Sequence, residues 1–228
     1  VKGIFMKKII SALFLMVFAS TGYVTTAIAM DFSLGVSGNY AAFTGKGEEK
    51  NTTRVTSENG VFQESYPSIF VELGLNDVVD IGLEYTPDTI STPENTALRR
   101  QNRTNATGSN GSNVTNTVAA DFEDLMYLYM NVNLPWYGLY LKGGWSQVDV
   151  ITKESLGTGG SYGDVSTDGL MVGFGVAHDM DGGFFVRAEI TASEWEDVNA
   201  TSTAETTKTV KVSEMYSASA SLRIGKTF

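Results

Sequence analysis

Residues 212–228, VSEMYSASASLRIGKTF, decide how the rest of the sequence is read. Counting back in twos from Phe228 gives Lys226, Ile224, Leu222, Ala220, Ala218 and Tyr216. The intervening set is Thr227, Gly225, Arg223, Ser221, Ser219 and Ser217. Successive side chains of a strand point to opposite faces. The stretch therefore predicts a strand with one apolar face, bounded by aromatic residues, and one small, polar face.

Seven segments before it repeat the pattern. Residues 31–43 set Phe32, Leu34, Val36 and Tyr40 against Ser33, Gly35, Ser37 and Asn39. Residues 66–75 set Ile69, Val71, Leu73 and Leu75 against Phe70, Glu72 and Gly74, and 79–85 set Val79, Ile81, Leu83 and Tyr85 against Asp80, Gly82 and Glu84. Residues 122–134 carry Phe122, Met126, Leu128, Met130, Val132 and Leu134 on the apolar side, with Glu123, Leu125, Tyr127, Tyr129, Asn131 and Asn133 opposite. Three more strands are expected from Leu139, over 169–178 and over 184–195. The connections alternate: tight turns near Asn76, Trp136 and Gly182, and long polar stretches at 44–65, 87–119, 151–168 and 196–211. The stretch 87–119 has too few apolar residues to fold by itself.

An even strand number, alternating short and long connections and apolar–polar alternation describe an all-β, eight-stranded antiparallel up-and-down transmembrane β-barrel. Its apolar parity faces lipid. Both termini then lie at the end of the tight turns. Tyr40, Tyr85, Phe122, Trp145 and Tyr216 form an outer aromatic girdle, and Phe32, Trp136, Tyr137, Phe184 and Phe228 an inner one. Beyond the leader no apolar run is long enough to cross a bilayer as a helix. A soluble ligand-binding barrel would reverse the parity.

The leader starts at Met6 with Lys7 and Lys8, continues through IISALFLMVF and closes on Ala27, Ile28 and Ala29. This is the layout of a secretory signal peptide with an A-x-A cleavage site. Residues 1–29 are thus read as a cleaved signal with a few upstream residues, and 30–228 as one barrel domain. The formal net charge of the chain is −10, and losing Lys2, Lys7 and Lys8 with the leader makes it more negative still. Nucleic acid is therefore not an expected partner, because phosphate binding needs a basic footprint. Without cysteine there is neither a disulfide nor a thiolate nucleophile.

Inward parity collects Glu72, Glu84 and Glu189 with Lys142, Arg187 and Arg223, all in the inner half of the barrel. Three acids and three bases in a lumen only wide enough for side chains predict a hydrogen-bonded ion-pair network. It either fills and stiffens the core or gates a narrow ion path. The glycine-rich segment 157–163 has no lysine and no following helix, so it reads as a loop rather than a phosphate cradle. Asn51, Asn102, Asn105, Asn110, Asn113 and Asn199 begin N-x-S/T triplets that reflect loop composition. Arg99, Arg100 and Arg103 make one basic cluster at the long-loop end, suited to lipid phosphates or simply solvated.

Residues 30–228 resemble the small outer-membrane barrels of the OmpA/OmpX and opacity-protein type, through the leader, the loop alternation and the last strand with Phe228. The resemblance implies a bacterial outer-membrane location, contact with outer-membrane lipid and lipopolysaccharide, extracellular long loops and a monomer. It also implies handling by the barrel-insertion machinery, which reads the C-terminal strand, here Tyr216, Leu222, Ile224 and Phe228. Lys226 departs from the apolar or aromatic residue the family prefers, and its ammonium can reach water. The cell-wall-binding domain of full-length OmpA proteins is not expected after Phe228. Protease and lipid-A acyl-modifying barrels of similar architecture place histidine near the outer leaflet or rim, whereas His178 falls beside an inner turn. No enzyme activity, metal or cofactor is expected. The expected role is structural or surface-interacting through the loops, with a small porin-like channel gated by the charge network as the alternative.

Overall fold

The computed structural model describes residues 31–51, 54–100, 113–156, 161–203 and 207–228. The leader with Ala27 and Ala29, the residues Asn102, Asn105, Asn110 and Arg103, and 157–160 of the glycine-rich segment lie outside the described residues. Among the described residues there are eleven strands: β1 Asp31–Asn51, β2 Arg54–Gly74, β3 Val79–Tyr85, β4 Ile90–Ser91, β5 Asn95–Arg100, β6 Asn113–Asn133, β7 Leu139–Leu156, β8 Val165–Asp179, β9 Phe184–Trp195, β10 Val198–Thr201 and β11 Thr209–Thr227. Antiparallel pairing runs β1–β2–β3–β6–β7–β8–β9–β11, and β11 returns to β1 to close an eight-stranded ring. The short β4 and β5 add to β6, and β10 adds to β11.

The alternation that predicts the strands also fixes their faces. Leu34, Val36, Ile69, Leu128, Leu141, Leu170, Val172, Phe174, Ile190, Leu222 and Ile224 are exposed on the outside. Ser33, Ser37, Phe70, Glu72, Tyr129, Tyr140, Lys142, Glu189 and Arg223 are buried inside. This polarity, apolar out and polar in, suits a barrel surrounded by lipid. Phe32 and Phe228 meet at the inner rim with ring centroids 6.3 Å apart. Lys226 lies 5.1 Å from the centroids of Phe184 and Phe228, so its ammonium sits among the inner aromatics rather than against hydrocarbon.

The polar stretches correct the sequence reading. β1, β2 and β6 are each 21 residues long. At about 3.3 Å per residue and a tilt near 40°, each rises roughly 50 Å, about twice the height of a lipid-facing band. Residues 44–51 and 54–65 are strand, with the two strands paired without a break from Asp31↔Gly74 to Asn51↔Arg54. Residues 95–100 pair with 113–118, so paired strands stand within 87–119 where a loop was expected. Above the membrane both faces of a strand meet water, and the apolar alternation that marks a strand in the sequence disappears.

Two bulges shift the faces. Asp124 and Glu214 both adopt φ 52°, the left-handed region. The β6–β7 register slips between Glu123 and Met126, and the β1–β11 register slips between Thr44 and Lys46. An extra residue reverses the parity beyond it. Phe122, expected in the outer girdle, is therefore inside, and Glu123, expected inside, is exposed.

Inward glycines are seats for aromatic rings. A Cβ on Gly82 would run into Tyr129, and one on Gly175 into Tyr140. Gly82→Ala and Gly175→Ala should each lower stability by about 1–3 kcal/mol through overpacking. The readout is the urea midpoint of the heat-modifiable gel mobility of the folded barrel. Gly38→Ala, where an added methyl meets nothing within 4 Å, should leave that midpoint unchanged.

Candidate functional site: the barrel lumen

The lumen is built from the inward parity of all eight ring strands and filled at two levels. The lower level is a charge network. Arg223 on β11 stands at its centre, 1% exposed. Its Nη2 donates to Glu84 on β3, its Nη1 donates to the Tyr129 hydroxyl at 3.0 Å, and Nη1 lies 3.7 Å from Glu72 on β2. Its Nε lies 2.9 Å from Glu189 Oε2 without hydrogen-bond alignment, an electrostatic contact only. Lys142 on β7 donates to both oxygens of Glu189 on β9, at 3.1 and 2.9 Å, and stands 4.0 Å from Glu84. Arg187 on β9 donates to Glu72 Oε2 at 2.6 Å. All six sequence-selected charges thus meet in one cluster, closing a cross-lumen circuit through β2, β3, β7, β9 and β11.

Neutral groups complete the circuit, and the sequence reading placed several on the inner face without assigning them to the cluster. Tyr129 donates to Glu72 at 2.8 Å, Asn131 to Glu72 at 3.2 Å and Tyr140 to Glu189 at 2.6 Å. Ser37 donates to Glu84 at 3.0 Å, Ser68 also bonds Glu84, and Asn39 donates to Ser68 at 2.9 Å. Rings cover the cations: Lys142 Nζ lies 3.8 Å from the Tyr129 centroid, and the Arg223 guanidinium 4.6 Å from that of Phe70. Their inward parity and polar type were the available signal. Beside the network is a cavity of about 20 Å³ lined by Asn39, Tyr66, Tyr127, Lys142, Glu189 and Arg223 among others, room for about one water.

The upper level is apolar, and the sequence reading missed it. Ala41, Tyr66, Ile90, Leu125, Val148 and Trp195 form a buried cluster, with Phe43, Phe62, Phe122, Tyr127, Val150 and Met215 packed against it. Phe43, Phe62 and Phe122 stack, with centroids 4.8 Å (Phe43–Phe62), 5.8 Å (Phe62–Phe122) and 6.2 Å (Phe43–Phe122) apart. Phe122 reaches this cluster only because of the bulge at Asp124, which no sequence period announces, whereas Met215 lies on the unbroken inward parity of β11 and pairs with Trp195. Among the other sequence-selected residues, Tyr216, Leu222, Ile224 and Phe228 all lie exposed on the lipid side of β11 and its end. His178 is exposed near the inner end of β8. Arg99 and Arg100 lie on β5, opposite Val114 and Asn113.

Removing one member of a buried, mutually paired set strands the others in low dielectric. Arg223→Ala is expected to cost about 3–5 kcal/mol of unfolding free energy, since three carboxylates lose their shared cation. Arg187, 13% exposed at its side chain, should cost less as Arg187→Ala. Lys46→Ala removes only the exposed pair to Glu214 and should cost at most about 1 kcal/mol. Urea midpoints of the three variants in one detergent check this order.

No protein-family model matches the chain, and no curated protein does. Among solved structures it is similar to the outer membrane protease OmpT from Escherichia coli, with TM-score 0.52 and 10% identity over 90% of this chain and 100% of that one. It is also similar to the outer membrane protein OprG from Pseudomonas aeruginosa, with TM-score 0.48 and 11% identity over 88% and 96% of the two chains. A further match is Ail, the attachment invasion locus protein of Yersinia pestis, with TM-score 0.36 and 12% identity over 86% and 98%. At these identities the likeness is one of fold. The chain has the fold of a bacterial outer-membrane β-barrel, and its apolar outer band suits it to the outer membrane.

Proposed function

We propose that this protein is a non-enzymatic, closed outer-membrane barrel whose work is structural or surface-interacting and is done by the strands and loops that rise above the membrane. The observation that carries this reading is the doubly filled lumen. The charge network closes the inner half, the aromatic and aliphatic cluster closes the outer half, and the cavity between the filling side chains is about 20 Å³. A hydrated ion needs a continuous path, and two filled layers among the described residues argue against one. The long strands then serve as a stiff mast: β1 and β2 stay paired to Asn51 and Arg54, far past the outer girdle residue Tyr40.

Several features support the finer parts of the proposal. His178 sits near the turn Asp181–Gly183, at the opposite end from the long connections, so a histidine-based surface site is disfavoured. The lipid-facing row of Tyr216, Leu222, Ile224 and Phe228 suits handling by a barrel-insertion machinery, and lipid with lipopolysaccharide would surround the belt. A monomer with an extracellular ligand taken by the outer strands is the assembly that fits.

Planar-bilayer recordings of the refolded barrel test the reading. Parent protein is expected to be silent. Steady conductance in the parent, altered by Arg187→Ala or Glu189→Ala, would instead make it a small channel gated by the charge network.

A further inference from the structure

The wall of the barrel is closed in its lower half and interrupted in its upper half. β2 pairs with β3 only from Gly74↔Asp80 up to Ile69↔Tyr85. Above that point β4 and β5 pair with β6 alone, so among the described residues β2 has no strand partner on this side from Val55 to Ser68. Its other side remains fully paired with β1. Side chains, not a ladder, bridge the seam at its base: Phe62 of β2 stacks on Phe122 of β6, beside the buried Ile90 of β4.

The register shows which backbone groups face the seam. The N–H of Leu75 donates to Val79 at 2.9 Å, so odd-numbered residues of β2 direct their N–H and C=O toward β3. No register shift interrupts β1–β2. Val55, Ser57, Asn59, Val61 and Gln63 therefore present their backbone groups to the open edge, while β4 stands beside β2 at the base of the seam and the Ser65 N–H is taken by Glu64. Pro67, also odd, has no N–H to give, which explains why β3 leaves β2 just above Ile69. Glu64 has lumen parity, between the partly buried Phe62 and the buried Tyr66, yet is exposed. It curls back to accept the edge N–H of Ser65 at 3.2 Å. An open wall accounts for both facts.

We propose that the β2 edge from Val55 to Gln63 is a docking site for one extended, cationic peptide segment of a partner protein, added as a strand. This deepens the surface-interaction reading and rests on it. The backbone groups call for a strand, because only an extended chain matches donors and acceptors repeating every second residue. The side chains set its charge. On the lumen-side face the docked strand meets Glu58, Gly60, Phe62 and Glu64, with Glu58 and Glu64 exposed and Phe62 partly so. A matching segment carries basic residues opposite the two glutamates and an apolar residue opposite Phe62. A second copy in the same membrane does not fit. A two-fold axis along the membrane normal sets each N–H of the edge level with its own copy, donor against donor.

The test uses refolded barrel in nanodiscs and a fluorescein-labelled seven-residue peptide with lysine first and last, valine third, and serine or threonine elsewhere. Fluorescence anisotropy reads the binding. Saturable binding is expected that weakens at least tenfold in Val61→Pro, a change that removes one edge N–H and leaves the β1 ladder intact. Glu58→Gln with Glu64→Gln should weaken it several-fold and flatten its salt dependence. A peptide N-methylated at alternate residues on one edge should lose binding, and one methylated on the other edge should keep it. Gel mobility must show each variant folded; if Val61→Pro does not fold, Asn59→Pro and the methylated pair decide. Absence of binding, or equal binding by both methylated peptides, overturns the docking site. A bilayer-silent barrel that fails here leaves the closed-barrel reading standing.

Discussion

Hydrocarbon offers no hydrogen-bond partner to a backbone, so every strand that crosses it must be paired on both sides. That constraint governs the lower half of this molecule. β1 closes on β11 over most of the length of both strands, and β3, though only seven residues long, covers β2 for the height that needs covering. Above the outer girdle water can satisfy the free groups and the constraint lapses. There the wall parts between β2 and β4, and aromatic stacking across the seam replaces the ladder.

Closure of an eight-stranded ring in turn decides what the lumen can contain. The space is narrow enough that rings must lie over glycines, as Tyr129 does over Gly82 and Tyr140 over Gly175. It is also sealed well enough that a lone charge would be costly, so the six ionised groups occur as a balanced set with tyrosine, serine and asparagine satisfying the remaining oxygens. Higher up the same width is filled with Phe43, Phe62, Phe122, Leu125 and Trp195. Charge below and carbon above are two ways of meeting one packing requirement.

Much of this was legible in the sequence. The alternation in 212–228, the tight turns near Asn76, Trp136 and Gly182, and the inward parity of Glu72, Glu84, Lys142, Arg187, Glu189 and Arg223 all follow from a period of two imposed by lipid on one face. Where lipid ends, so does the signal: 44–51, 54–65 and 95–100 read as loops because no apolar row marks an outer face, although they are strands. The reversal of Phe122 and Glu123 was also hidden, since a bulge at Asp124 leaves no mark in a pattern of hydrophobicity.

What the sequence determined by itself was the face each membrane-level residue takes, because burial in lipid or lumen is a local choice between two directions. What only the tertiary structure decided was which of those residues meet across the ring, how far the strands outrun the membrane, and where the wall is left open. Those depend on register, bulges and closure, which are properties of strand pairs and of the whole ring rather than of any one segment.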